Sequence, residues 1–281
     1  MPNQKRSEYM DRNGPIGGID SGIGGFTVLK ELQDRLPTEN YLYFGDSMRM
    51  PYGDRENDEI IYLANAIISD LENRGVKAVV LACNTISSLI SELTSRVPLF
   101  SVIEAGVQET LNWRKRGLVG LIATNATVNN RGYEREMALW TNEVKYIAQG
   151  TSTLGKVINE ANGNLKVLKN NIREAVEPIL LEGIKRDVVI EELLLGCTHF
   201  PIVAGTIRQM YPELMLINPA NGLVRQLNKH LEEFDYYNTG ASSEMGSTNI
   251  LTTADYDIFE RMISELELNC DSLKMTELTL S

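Results

Sequence analysis

Cysteine and histidine are scarce in this chain: its 281 residues hold three cysteines and two histidines. Three is odd, and too few for a disulfide framework at this length, so free thiols in a reducing cytoplasm are expected. A zinc site has little to build on, because no Cys-x-x-Cys pair accompanies the two histidines. A redox disulfide lacks its usual close pair for the same reason. Long apolar runs are also missing. Nowhere do about eighteen uninterrupted apolar residues occur, as a bilayer span requires. The opening stretch MPNQKRSEYMDRNGP has Lys5 and Arg6 but no apolar core of a secretory signal. Positive charge is short too: 27 Lys and Arg against 38 Asp and Glu leave a net charge of −11. That balance argues against a nucleic-acid backbone or an anionic membrane as partner. Its plainest use is solubility.

What is present is an alternation of short apolar runs and helical stretches, the pattern of an α/β fold with mainly parallel sheets. Strands are expected at 15–20, 40–44, 76–82, 99–103, 118–123, 144–148, 192–195 and 214–217. Helices are expected at 26–36, 58–74, 131–141, 153–160, 165–182 and 202–210. Residues 236–249 read as a polar loop, 250–266 as a strand and helix returning to the first half, and the last dozen residues as loosely held.

The second half repeats the scheme of the first. Strand, small-residue turn and helix occur at 16–36 and again at 118–137. Apolar strand, cysteine, polar pair and helix occur at 79–93 and again at 193–210. Gly18 and Gly120 are 102 residues apart and Cys83 and Cys197 are 114 apart, offsets that agree within a loop insertion. Two similar facing domains follow, each a mainly parallel sheet flanked by helices, with a site in the cleft between them. Residues 1–105 with 222–281 would form the first, 1–14 being a polar extension, and 106–221 the second. One continuous sheet with a chance resemblance is the alternative.

Cys83 follows VKAVVLA and precedes Asn84-Thr85; Cys197 follows IEELLLG and precedes Thr198-His199-Phe200-Pro201. Each thiol is therefore expected at the carboxyl end of a strand and the amino end of a helix, the edge where ligands bind in open parallel sheets. A helix amino terminus lowers a thiol's pKa and attracts a carboxylate. Asn84, Thr85 and Thr198 are suited to capping these helices. His199, on an extended backbone, would share a face with Cys197, and an imidazolium there would favour the thiolate. A single cysteine ending an apolar strand is commonly just a small core residue. Two in matching settings at a ligand edge point instead to chemistry. Cys270, in the acidic tail, reads as a bystander.

Asp20-Ser21-Gly22, with Gly24-Gly25 beyond it, ends the first strand. The glycines let backbone approach a small ligand, and the turn's N–H groups suit an anion. It is neither a phosphate loop nor a dinucleotide fingerprint, and a capped tight turn explains it equally well. An Asp20 carboxylate near Cys83 would raise the thiol's pKa, so its use would be to relay a proton or pair with an ammonium. Pro51-Tyr52-Gly53 also lies past a strand's carboxyl end, and Thr124 and Thr127 hold the corresponding edge of the second half.

These stretches resemble the glutamate racemases of bacterial cell-wall synthesis. GGIDSGIGGFTVLKEL, YFGDSMRMPYGDR, VVLACNTISS, LIATNATV and LLLGCTHFPIV occur in the family's order and spacing, and ILTTADYDIFERMISEL resembles its closing strand and helix. The resemblance covers nearly the whole chain from Pro15. It implies catalytic roles for Cys83 and Cys197, with Asp20 assisting the first and His199 the second. It implies substrate contacts from Asp20, Ser21, Tyr52, Gly53, Asn84, Thr85, Thr198 and His199, with Thr127 added. No cofactor or metal is implied, and the product would be D-glutamate for peptidoglycan.

One segment departs from the family. Where an alanine-cysteine-proline stretch leading to an acidic residue is usual, this chain reads YIAQGTSTLGKVINEANGN, and Glu160 is the residue that would fill the acidic position. Aspartate or another diacid as substrate stays open on this account, as does a non-catalytic ligand-binding relative. The polar N-terminal extension is similar to that of longer family members, which bind a muramyl-peptide activator; a homodimer is a further expectation.

Overall fold

The computed structural model describes residues 11–160, 164–240, 245–278 and 280, without the Glu160 side chain. The expectations on the extreme N-terminus and on the Glu160 carboxylate lie outside the described residues. In chain order the elements are β1 (Ile16–Asp20), α1 (Phe26–Arg35), β2 (Tyr41–Gly45), α2 (Asn57–Asn73), β3 (Ala78–Leu81), α3 (Asn84–Ser87), β4 (Leu99–Ser101) and α4 (Val102–Trp113). Then come β5 (Gly117–Thr124), α5 (Asn125–Asn129), α6 (Gly132–Trp140), β6 (Val144–Thr151), α7 (Leu154–Glu160), α8 (Leu165–Lys185), β7 (Glu192–Gly196), α9 (Ala204–Met210) and β8 (Met215–Ile217). The chain closes with α10 (Pro219–Glu233), β9 (Thr248–Thr252), α11 (Tyr256–Glu265) and β10 (Ser272–Met275).

Two sheets result, of six strands in the order β10-β9-β2-β1-β3-β4 and of four in the order β6-β5-β7-β8. Every described pairing is parallel. The repeat read from the sequence is visible in this topology: β2-β1-β3-β4 and β6-β5-β7-β8 are the same arrangement, with β9 and β10 added at one edge of the first. Cys83 follows β3 and Cys197 follows β7, so the two thiols stand at equivalent positions of two like units.

Alternation along the strands explains why both sheets are covered on both faces. Ala78 and Val80 point into a core with Leu29 of α1 and Leu227 of α10, while Val79 and Leu81 point into another with Leu63 and Ile67 of α2. In the second sheet, Leu193 and Leu195 meet Val176 and Ile179 of α8, and Leu194 meets Val107 of α4 and Tyr133 of α6. The units are joined where α4 crosses α10. A Cβ on Gly222 would lie 2.3 Å from the Ala105 carbonyl oxygen, so only glycine permits that approach.

Two expectations are corrected and one element is added. The strand expected at 99–103 stops at Ser101, whose hydroxyl accepts from the N–H groups of Ile103 and Glu104 and starts α4. Residues 219–233, unassigned from the sequence, form α10, with Asn218 capping it and Pro219 in the first turn. The tail is not loose throughout: Ser272–Met275 pairs with β9 as the edge strand β10.

Candidate active site

The cleft between the units has about 710 Å³ of empty space, its mouth included, and both Cys83 and Cys197 line it. They come from opposite walls. Ser21, Tyr52, Gly53, Asn84 and Thr85 line the same cleft from the first unit, and Thr198 and His199 from the second. Two expected residues stand behind the lining. Asp20 is fully buried and reaches the site through Thr198, whose hydroxyl donates to Asp20 Oδ2 at 3.1 Å. Thr127 sits behind Thr124, with the two hydroxyls 2.9 Å apart.

Of the glycines of the first turn, Gly24 lets the units touch. A Cβ on Gly24 would fall 2.3 Å from Thr198 Oγ1 and 2.6 Å from the His199 ring. Asp20 also fills the turn's own needs: its Oδ1 accepts from the Gly22 N–H at 3.0 Å. The capping expected of the polar pairs is replaced by contacts between side chains. No side chain caps α3 or the 3₁₀ turn Phe200–Val203. Asn84 Oδ1 instead accepts from the Tyr133 hydroxyl at 2.6 Å, and Thr85 Oγ1 lies 3.1 Å from Thr124 Oγ1 across the cleft. Tyr52 is aimed by Asp46, to which its hydroxyl donates at 2.7 Å.

Electrostatics correct a second expectation. Burial pushes the Cys83 thiol up to about 12, Asp20 adds to this, and the N–H groups of Ile86 and Thr85 oppose it without winning. Burial likewise pushes Cys197 up to about 12, against the His199 N–H. The helix-terminus effect is thus present but smaller than desolvation. Burial lowers His199 to about 4, so the imidazole is neutral and no imidazolium supports Cys197. Its backbone is helical rather than extended (φ −76°, ψ −28°), and the contact survives: Nδ1 lies 3.7 Å from Cys197 Sγ. Burial raises Asp20 to about 7, with the Gly22 N–H, the Thr198 hydroxyl and the Gly25 N–H lowering it in part. The site therefore holds two thiols, a neutral imidazole and a carboxyl poised near neutrality.

Thiol labelling checks this. At pH 8 Cys83 and Cys197 should react with iodoacetamide on the order of 10³-fold slower than an ordinary thiol of pKa about 8.5, the rates climbing roughly tenfold per pH unit towards pH 11. Mass spectrometry separates the two sites from Cys270. Rates at pH 8 matching a free thiol would show that the helix termini outweigh burial.

The sequence did not reveal the lining supplied by Thr151, Ser152, Lys156 and Asn159. Thr151 ends β6 and the other three follow it in the departing segment; the only available signal was their position at or past a strand's carboxyl end, equivalent to that of Tyr52-Gly53 after β2. Among the described residues, no cluster of three or more His, Cys, Asp or Glu is arranged to hold a metal ion. No helix among them is long and apolar enough to cross a membrane.

The family model for Asp/Glu/Hydantoin racemases matches residues 17–227. Glutamate racemase 1 of Caldanaerobacter subterraneus subsp. tengcongensis is 36% identical over 251 residues, spanning 89% of this chain and 91% of that protein. The glutamate racemase of Francisella tularensis, solved with D-glutamate, superposes with a TM-score of 0.83 at 30% identity over 95% of this chain and 99% of its own. The glutamate racemase isoform RacE1 of Bacillus anthracis gives a TM-score of 0.86 at 25% identity, over 96% and 100%. With matching sequence, matching fold and a cysteine on each wall of the cleft, the chain belongs to the Asp/Glu/Hydantoin racemase family.

Proposed function

We propose that this protein interconverts L- and D-glutamate without a cofactor, by proton transfer between the substrate α-carbon and two cysteines, supplying D-glutamate for peptidoglycan in the cytoplasm. The observation that carries the reading is the entry of Cys83 and Cys197 into one cleft from opposite walls, at equivalent strand ends. Inversion at carbon needs a base on one face and an acid on the other, and two like groups on opposed walls serve either direction equally.

A bound amino acid changes the resting electrostatics in the needed sense. Its ammonium, enclosed beside the thiols, favours a thiolate, while N–H groups at the start of α3 and of the turn after Cys197 face its carboxylate. One thiolate then takes the α-proton as the opposite thiol delivers its own, so the proton count is unchanged and the centre inverted. His199 Nδ1, 3.7 Å from Cys197 Sγ, is placed to hold the Cys197 proton. Asp20 is assigned the relay on the Cys83 side. Ser21, Asn84, Thr85, Thr198, Tyr52 and Gly53 are assigned substrate contacts, with Thr127 acting through Thr124. The muramyl-peptide activator and the homodimer expected from the resemblance belong to the same proposal.

The test is α-proton exchange with purified protein in deuterium oxide and no added cofactor, with glutamate and aspartate side by side. Deuterium should enter glutamate from either enantiomer, and circular dichroism should decay to zero. Exchange with aspartate alone would reassign the substrate, and no exchange with either would remove the reading.

A further inference from the structure

Among the described residues lining the cleft, Asp54 and Lys156 are the two with formally charged side chains, and they are paired with each other. Lys156 Nζ lies 2.9 Å from Asp54 Oδ2, with the side chains 49% and 44% exposed. Asp54 ends the 3₁₀ turn Tyr52–Asp54 after β2, and Lys156 stands on α7 after β6. These are equivalent loops of the two units, so the pair ties one wall to the other at the solvent side of the cleft. A second tie lies beside it, from Asn159 Nδ2 to Met50 Sδ at 3.7 Å.

Other contacts between the units include Thr198 with Asp20, the Thr27 hydroxyl donating to the Thr198 carbonyl at 3.0 Å, and Thr85 with Thr124, all at least partly buried, and an exposed Asn57–Asn130 amide pair outside the cleft lining. Cys83 and Cys197 are only 6% and 8% exposed, so a substrate carbon reaches both thiols after the walls part. Among these contacts the half-exposed Asp54–Lys156 pair is the one that joins opposite charges, and it does so within the cleft lining.

We propose that the Asp54–Lys156 ion pair is the latch of the cleft, and that both are positioning residues which hold the closed arrangement. It rests on the racemase reading for its kinetic readout only. An exposed pair has modest strength, so breaking it should favour the open form about two- to fivefold. High salt should have a similar effect on the native protein.

The experiment compares the native protein with Lys156→Met, Asp54→Asn and the charge-swapped Asp54→Lys/Lys156→Asp. The first readout is maleimide labelling of Cys83 and Cys197 in the ligand-free protein, with Cys270 as internal control. A latch predicts faster labelling in both single variants by about two- to fivefold, and a native rate in the swapped protein. An effect of these charges on thiol acidity alone would move the two single variants in opposite directions, and that result overturns the latch. So does unchanged labelling in both. The second readout is glutamate turnover: KM should move in the same direction in both single variants, by about two- to fivefold with kcat held, and return on swapping. If Lys156→Met loses turnover while Asp54→Asn gains it and the swap fails, Lys156 is a substrate ligand and the latch is wrong. Native protein with the expected labelling pattern but no glutamate turnover would keep the latch and reject the glutamate reading.

Discussion

Cys83→Ser and Cys197→Ser should each abolish racemisation, lowering turnover by about 10³-fold or more. Proton transfer by a positioned acid or base is typically worth about 10² to 10⁴. A serine hydroxyl is a far weaker acid than a thiol, so it leaves neither a usable base nor an equivalent proton donor. The two losses should match in size, since each wall must serve as acid in one direction and as base in the other. Any α-proton exchange that survives should be confined to one enantiomer, and to opposite enantiomers in the two variants, because one thiol reaches one face. Cys270→Ser, away from the cleft, should be unaffected. Both sites are buried, so melting curves must accompany the assays. Full activity in either folded variant would contradict the two-base scheme.

Much of this arrangement is legible in the chain because the interior strands are covered on both faces. Val79–Leu81 and Leu193–Leu195 must be apolar throughout, and each run breaks into a cysteine and small polar residues where the sheet edge begins. The matching order of such runs reveals the repeat, and hence that the thiols share one cleft. The joining helices are less visible. α4 follows β4 at Ser101 with no glycine or proline between them, so LFSVI reads as one extended run. α10 did carry signals, an Asn-Pro start and buried positions at Ala220, Leu223, Val224, Leu227 and Leu231. β10 is half-exposed at an edge, where no apolar pattern is demanded. The cleft rim at Thr151–Asn159 consists of residues that read as a turn and a polar helix. The thiol pKa values were out of reach for a different reason. A helix terminus is a local feature readable from spacing, whereas desolvation depends on what the opposite unit covers, and here desolvation is the larger effect.

That same desolvation makes Asp20 a place where activity and stability oppose one another, and Asp20→Asn should expose the conflict. In the unfolded chain the carboxyl titrates near 3.8, and in the folded protein at about 7. Between those values the folded state holds more protons than the unfolded one, so this group's contribution favours folding at low pH and is lost as pH rises from about 4 through 7. A shift of about three pH units corresponds to roughly 4 kcal/mol above neutrality. An asparagine carries no charge to bury. It forfeits the bond from the Gly22 N–H to Oδ1, a loss of about 1–3 kcal/mol, and keeps an oxygen for the Thr198 hydroxyl. The variant should therefore be about 1–3 kcal/mol more stable than the native protein at pH 8. The gain should turn into a loss of about 1–3 kcal/mol by pH 4, where both side chains are neutral in the folded protein and the asparagine is left only with the forfeited bond. Activity should move the other way. With Asp20 as the relay for Cys83, native kcat/KM should rise with pH through about 7 as the carboxyl ionises. The variant should lose that limb together with about 10²-fold or more of its rate. Urea unfolding at pH 4 and pH 8, alongside pH–rate profiles, measures both halves. A variant no more stable than the native protein at pH 8 would mean that burial does not raise the Asp20 pKa, and an unchanged pH profile would remove it from the proton path.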